Sequence, residues 1–341
     1  MQPAVTVLLP VYNSAATLQE TLDSLWAQTF TDFELLVIDD GSTDDTPAIL
    51  AANTDPRLRV LRNPRRLKLS GALNRGIAEA RAPLTARIDA DDLAHPERLA
   101  AQVAYLRRHP GLALCGTWTR HFGDRDKARE MYPETHNDLR AFSLFNCPFA
   151  HPTVLFRTDV FRENNLTYNG DYYPTEDYEL WTRIVHHYPC ANLPRVLLDY
   201  RVHGQSMTGS DWSNMDEQAR RIMFNQFAAL GVPCTEAQSR LNRDIGMARV
   251  APENLPAARE WLECLQQHNR GQPFCPPDAL LAQLRERWFH VCMNATRGGP
   301  EVYRHFINST LWTGTRPPLR RRLLLRASIL RRRTENASAS R

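Results

Sequence analysis

VTVLLPVYNSAATLQETLDSLWAQTFTDFELLVIDDGSTDDT, residues 5–46, changes its hydrophobic period twice. It opens within a short apolar run, AVTVLL at 4–9, that Pro10 bounds, as a strand buried on both faces should be. Leu18, Leu22, Leu25 and Trp26 then recur at helical spacing, and Thr17 with Glu20 forms a capping-box pattern at the start of that helix. FELLVI at 33–38 is a second strand, broken by Gly41, Ser42 and Thr43. Outward from this stretch the alternation continues, with a helix over 44–52, a strand at 58–61 (LRVL), a helix over 71–80 and a strand at 84–88 (LTARI). Strand and helix in alternation predict an α/β fold with a doubly wound, mostly parallel sheet. Such sheets bind ligands outside the carboxyl ends of their strands, and the loops that begin at Pro10, Asp39 and Asp89 lie there.

Beyond residue 90 the pattern predicts a helix over 96–109 and a strand over 112–118. A mixed, aromatic-rich segment fills 120–175. A helix over 176–187, a strand over 195–202 and a helical region from about 211 onward follow. The expected domains are a first one over 1–210, a helical region over 211–315 and an Arg-rich tail over 316–341. With 341 residues, 43% hydrophobic and 23% charged, the composition excludes whole-chain disorder. Seven cysteines without a CxxC pair point to reduced thiols rather than a zinc knuckle or a disulfide framework. No stretch approaches the ~20 apolar residues of a membrane span, and the opening MQPAVTVLLPVYN lacks the basic flank of a signal peptide, so a cytoplasmic protein is expected. The net charge of +4 is unevenly spread: residues 316–333 hold eight Arg and no acid, so the remainder carries −4. That argues against a nucleic-acid-binding body and for an anionic surface met at one end. PPLRRRLLLRASILRRR at 317–333 sets leucines among these arginines. As a helix it either lies on anionic lipid or packs on the body.

Three acidic clusters stand at element ends. Asp89-Ala90-Asp91-Asp92 follows a strand, where alternation points Asp89 and Asp91 the same way. Two converging carboxylates suit a hard divalent cation that keeps places for phosphate oxygens; alternatively Asp92 caps the next helix and the other two are solvated. Asp39-Asp40-Gly41-Ser42 either accepts hydrogen bonds from a nucleobase or ribose or serves as turn chemistry. In Thr175-Glu176-Asp177-Tyr178-Glu179, acids in a helix's first turn complement the macrodipole. Asp177 in a cleft can also take a proton from an attacking hydroxyl. His203 follows a strand and is either structural or a metal or diphosphate contact; His151, before an apolar strand, is either a packing or an acceptor-site residue.

Taken together these fragments resemble the family 2 glycosyltransferases, inverting enzymes of the GT-A fold. Residues 5–46 carry the resemblance, with GALNRGIAEARAPLTARIDADDLAHPERLAAQ at 71–102, HPTVLFRTDVF at 151–161, TEDYELWTRI at 175–184 and VLLDYRVHGQS at 196–206. The resemblance implies a nucleotide-binding half over about 1–92 and an acceptor half over 93–210. It implies that Pro10, Tyr12 and Asn13 form the nucleotide-binding first loop, with Tyr12 stacked on the base. Asp40, with Asp39, would bind the uracil or ribose, and Asn74 the donor. It makes Asp89 and Asp91 the DxD motif, in which Asp91 ligates Mn2+ or Mg2+ and Asp89 holds the ribose. Asp177 becomes the catalytic base, oriented by Glu176, and His203 a metal or diphosphate contact. His151 and Trp181 fall in the acceptor region. The implied reaction moves a sugar from a nucleotide-sugar, by resemblance a UDP-sugar, to a saccharide or lipid-linked hydroxyl in bacterial surface polysaccharide or glycolipid synthesis.

Two departures stand out. NPRRLKLS at 63–70 is basic where relatives carry a Gly-containing loop, so Arg65, Arg66 or Lys68 either meets the donor phosphates or is solvated. No QxxRW pattern follows the 176–187 helix, which sets the chain apart from processive, membrane-embedded synthases. A sugar-nucleotide pyrophosphorylase would need a Gly-rich, Lys-bearing loop after the first strand, where PVYNSAATL stands. A non-catalytic membrane-surface protein would leave the acidic clusters unexplained.

Overall fold

A computed structural model describes residues 2–124, 128–202 and 212–339. The opening alternation folds as β1 (Val5–Val11), α1 (Leu18–Trp26), β2 (Phe33–Asp39), α2 (Thr46–Ala52), β3 (Leu58–Arg62), α3 (Lys68–Glu79) and β4 (Leu84–Arg87). These four strands are parallel, in the order β3-β2-β1-β4. Every residue of β1 and β2 is buried, because helices cover both faces of a parallel sheet. Alternate residues of β1 feed two layers. Val5, Val7, Leu9 and Val11 pack with Leu18, Leu22 and Leu25 of α1. Leu8 points the other way, against Leu73 and Ile77 of α3.

The Thr17–Glu20 pair does not form the expected capping box. The Thr17 hydroxyl donates instead to the Ala90 carbonyl at 2.8 Å, and Glu20 pairs with Arg201. A backbone carbonyl 73 positions away outcompetes the local cap, and the start of α1 is tied to the turn after β4.

The rest of the sheet is mixed. It adds β5 (Leu93–Ala94), α4 (Arg98–Arg108), β6 (Leu114–Gly123), β7 (Arg129–Glu130), α5 (His136–Ser143), β8 (Leu155–Arg157), α6 (Thr158–Glu163), α7 (Glu176–His187) and β9 (Cys190–Val202). The full order is β3-β2-β1-β4-β8-β6-β9-β5, with β7 on β6. β8 runs antiparallel between β4 and β6, and β9 is parallel to β6. Apart from β8, the apolar strand expected after His151, 120–175 hides elements of two to eight residues, too short for a periodic signal. β6–β9 pairing slips after Thr117, which pairs with Leu193, while Trp118 pairs with Val196. Pro194, which has no N–H to give, stands in the skipped stretch.

The chain divides into two compact units. The first comprises Met1–Leu139 and Cys147–Met215, the second Arg140–Asn146 and Asp216–Arg341. The second contains α9 (Glu236–Gly246), α10 (Leu255–Gly271), α11 (Pro277–Asn294), α12 (Pro300–Ile307) and α13 (Leu319–Ala339), with most of α8 (Trp212–Ala229). Its core holds Trp261, Leu265, Leu284, Trp288 and Phe306. Asn242 donates to the Leu144 carbonyl at 2.7 Å and accepts from Trp261 Nε1 at 2.9 Å, which binds segment 140–146 into this unit. The Arg-rich segment expected as a tail is largely the helix α13. The seven cysteines are all thiols. Among the described residues no helix is long and apolar enough to cross a membrane.

Gly76 sets the approach of α3 to β1, since a Cβ there would stand 2.1 Å from a methyl of the buried Leu8. Gly76→Val should therefore destabilise the protein by ~1–3 kcal/mol despite removing a helical glycine. Urea unfolding of the variant checks this; an unchanged midpoint would show that the helix can retreat without cost.

Candidate active site

Three loops at the carboxyl ends of β1, β2 and β4 build the site. Asn13 adopts a left-handed backbone (φ 50°), which asparagine tolerates better than most residues. Its Oδ1 accepts from Thr43 N at 2.8 Å, and its own N donates to Ser42 Oγ at 3.1 Å. Ser42 N in turn donates to Asp39 Oδ1 at 2.8 Å. Buried Asp40 accepts from Asn63 Nδ2 at 2.6 Å and from Leu67 N at 2.7 Å, so it holds the basic 63–67 loop in place. The Arg66 guanidinium lies 3.8 Å over the Tyr12 ring. A cavity of about 500 Å³ opens here, lined by Tyr12, Gly41, Asn63, Pro64 and the arginines 62, 65 and 66. Pro10 is buried within β1, opposite Ile38.

The turn after β4 gathers Asp89, Asp91 and Asp92, with one ligand oxygen from each within 4.8 Å of the others. Arg87, 1% exposed at the end of β4, donates to both oxygens of Asp89, at 2.5 Å from Nη1 to Oδ2. Burial, partly offset by Arg87 and reinforced by Asp91, lifts the Asp89 carboxyl to about 6. Asp92 does not cap a helix. It is fully buried, and Oδ1 accepts from Arg201 N at 2.9 Å while Oδ2 has no hydrogen-bond partner. Burial, with Asp89 and Asp91 nearby, holds its carboxyl well above the usual range. The turn's backbone is pinned from outside: Thr17 donates to Ala90 O, Thr21 to Asp92 O at 3.0 Å, and Arg201 Nε to Asp91 O at 2.8 Å. Three hard oxygen donors, one of them a buried orphan, fit a divalent cation.

Asp177 and Glu176 open α7 on the same crevice. Asp177 Oδ1 accepts from Tyr178 N at 2.7 Å, and Cys147 Sγ lies 3.7 Å from Oδ2. Burial raises the Asp177 carboxyl. Its charge is near enough to raise Asp89, and the Arg87 charge acts on Asp89, Glu176 and Asp177 alike. Glu176 is buried with Oε2 unpartnered, and desolvation, with Asp177 beside it, pushes it up to about 7. His151 Nε2 is 2.9 Å from the Tyr168 hydroxyl, and burial holds the imidazole neutral by drawing its pKa well below 6.5.

One of the expected roles, that of Trp181, changes on this geometry. Trp181 is 0% exposed, packed against Phe149, Tyr168 and His151, so it belongs to the core and cannot touch an acceptor. Asn74 spends its amide on the Tyr168 backbone, donating to its carbonyl at 2.9 Å and accepting from its N–H at 2.8 Å. It braces the loop that carries Tyr168. Asn13 likewise joins the first two loops. His203 lies outside the described residues. Sequence reasoning missed Arg87, although a charge in an apolar strand two residues before Asp89 shares its face. It also missed Arg201 and Cys147, for which no local signal exists.

Residues 6–164 match the family model described as glycosyl transferase family 2. The amylovoran biosynthesis glycosyltransferase AmsE of Erwinia amylovora is 34% identical over 216 residues, covering 61% of this chain and 78% of that protein. The fold is similar to S. aureus TarS 1–349 solved with UDP-GlcNAc, at TM-score 0.57, 18% identity and coverage of 97% of this chain and 92% of that one. It is also similar to the mannosyltransferase PcManGT of Pyrobaculum calidifontis, solved with GDP-Man and Mn2+, at TM-score 0.54, 23% identity and coverage of 83% and 79%. The architecture is the GT-A fold with a helical C-terminal region.

The raised Glu176 pKa makes a pH prediction. The folded protein holds this proton more tightly than the unfolded chain, where the carboxyl titrates near 4.5. The resulting stability is complete below about pH 4.5 and is lost as the pH rises to about 7. Glu176→Gln, neutral throughout, should gain on the wild type across that window by roughly 3 kcal/mol. Denaturation at several pH values in EDTA reads the difference; a constant gap would contradict it.

Proposed function

The chain belongs to glycosyl transferase family 2, and on that premise we propose that it transfers a sugar from a UDP-sugar to an acceptor hydroxyl with inversion, non-processively and with Asp177 as base. The observation that supports this most is the meeting of Asp177 with the Asp89–Asp92 turn around the Arg87 charge. Asp177 takes the proton of an acceptor hydroxyl, and the oxygen attacks the anomeric carbon. The bond from that carbon to the diphosphate breaks on the opposite face, so one displacement inverts the configuration. Desolvation makes Asp177 a stronger base than an exposed carboxylate. The Tyr178 N–H and the Cys147 thiol aim its oxygens.

Asp89, Asp91 and Asp92 would hold Mn2+ or Mg2+, which when bound supplies charge neutralisation for the departing diphosphate. Tyr12 offers the base a stacking face, and Asp40 shapes the pocket through the loop it anchors. Arg62, Arg65 and Arg66 supply positive charge to that cavity. The acceptor proposed is a saccharide or lipid-linked sugar of bacterial surface polysaccharide or glycolipid synthesis, met on the cytoplasmic side of the membrane.

Asp177→Asn should lower kcat by ~10²-fold or more while UDP affinity stays at the wild-type value. Transfer at the wild-type rate would remove Asp177 from this role. Asp91→Ala should abolish the Mn2+-dependent gain in UDP affinity, measured by calorimetric titration with and without Mn2+. If the variant keeps that gain, the cation is held elsewhere.

A further inference from the structure

The C-terminal helix presents two apolar faces, and only one is used by the fold. Leu325 and Ile329 are buried, where α13 packs on α11, α12 and the turn Thr296–Gly298. Arg321 pairs with Glu286 and lies 4.9 Å over Phe289, and Arg326 lies 4.4 Å over Tyr303. The helix is therefore held along its inner side. Leu319, Leu323 and Leu330 face away from it, 62%, 56% and 61% exposed, with Leu324 also exposed beside them. At 100° per residue these three leucines fall within about 40° of one another, so they form one row. Arg320 borders the row, and no acid occurs between 316 and 333.

Single exposed leucines are ordinary on a protein surface. A row of them on a stretch of one charge sign calls for a partner with an apolar layer beneath an anionic one. A second copy of this face would set arginine against arginine, and a nucleic acid would leave the leucines in water. We propose that the outer face of residues 319–332 docks on an anionic lipid bilayer. The leucines enter the acyl boundary while Arg320, with Arg316 before the helix, reaches lipid phosphates along its own methylene stem. Charge complementarity selects the anionic leaflet and makes the binding weaken with salt.

This inference rests on the fold of the second unit and not on the donor reading. The test is co-sedimentation of the full chain with phosphatidylglycerol-containing and with pure phosphatidylcholine vesicles. The wild type should pellet with the former, less at high salt, and at most weakly with the latter. Leu319→Ser/Leu323→Ser/Leu330→Ser should weaken binding ~10-fold or more with its melting temperature and its transfer to a soluble acceptor unchanged. Arg316→Ala/Arg320→Ala, which leaves the leucines in place, should weaken binding to anionic vesicles as well. Wild-type protein staying in the supernatant, equal pelleting with both vesicle types, or a triple leucine variant that pellets like the wild type would each overturn the proposal. So would sedimentation velocity showing that the leucines hold a dimer in solution.

Discussion

Arg87 lets four carboxylates, those of Asp89, Asp92, Glu176 and Asp177, share one crevice. Burial raises the proton affinity of Asp89, Asp92 and Glu176, and the neighbouring carboxylates add to it. A buried guanidinium at the end of β4 opposes this, gripping Asp89 directly and acting on Asp92, Glu176 and Asp177 through its field. Buried charge without such a partner is costly. Arg87 is itself placed by the strand, and its carbonyl accepts from Arg98 Nη2 at 2.6 Å. Burial draws the Arg98 pKa down to about 10. The site's electrostatics are thus built into the sheet end rather than added by a loop.

Around that charge, many polar side chains serve the backbone rather than a ligand. Thr17, Thr21 and Arg201 fix the carbonyls of the acidic turn. Asn74 fixes Tyr168, whose hydroxyl meets His151, and Asp40 fixes the 63–67 loop that brings Arg66 onto Tyr12. The consequence is preorganisation: the carboxylates of the crevice are held from behind, so a ligand met there would have little reorganisation to drive. The buried orphan oxygens of Asp92 and Glu176 stand out because nearly every other polar group in the turn is satisfied.

The parts of this site legible in the sequence were those whose signal is local. Asp89 and Asp91 announce themselves because an apolar run ends in acids, and Asp177 because its helix starts in them. Trp181 misled, since helical spacing shows that a residue lies on an apolar face but not whether that face meets the core or a substrate; here Leu180 and Ile184 are buried with it. The Thr17 cap misled because its competitor lay 73 residues away. The expected parallel sheet was right for β1 to β4, where each helix crosses back over a long strand. The apolar strand expected after His151 is β8, but nothing in its three residues foretold that it runs antiparallel between β4 and β6.

By itself the sequence determined the alternation of strand and helix, hence the parallel half-sheet, and with it the position of each acid at a strand or helix end. It also determined that the excess positive charge is confined to one terminal helix. Only the tertiary structure decided which polar groups remain for chemistry, that Arg87 answers for four acids, and which leucines of the last helix the fold buries. The physical reason is range. Periodicity is written in neighbours three or four positions apart, whereas the bonds that settle the site join residues separated by 73, 94 and 110 positions, and a pairing at that distance exists only once the chain has closed on itself.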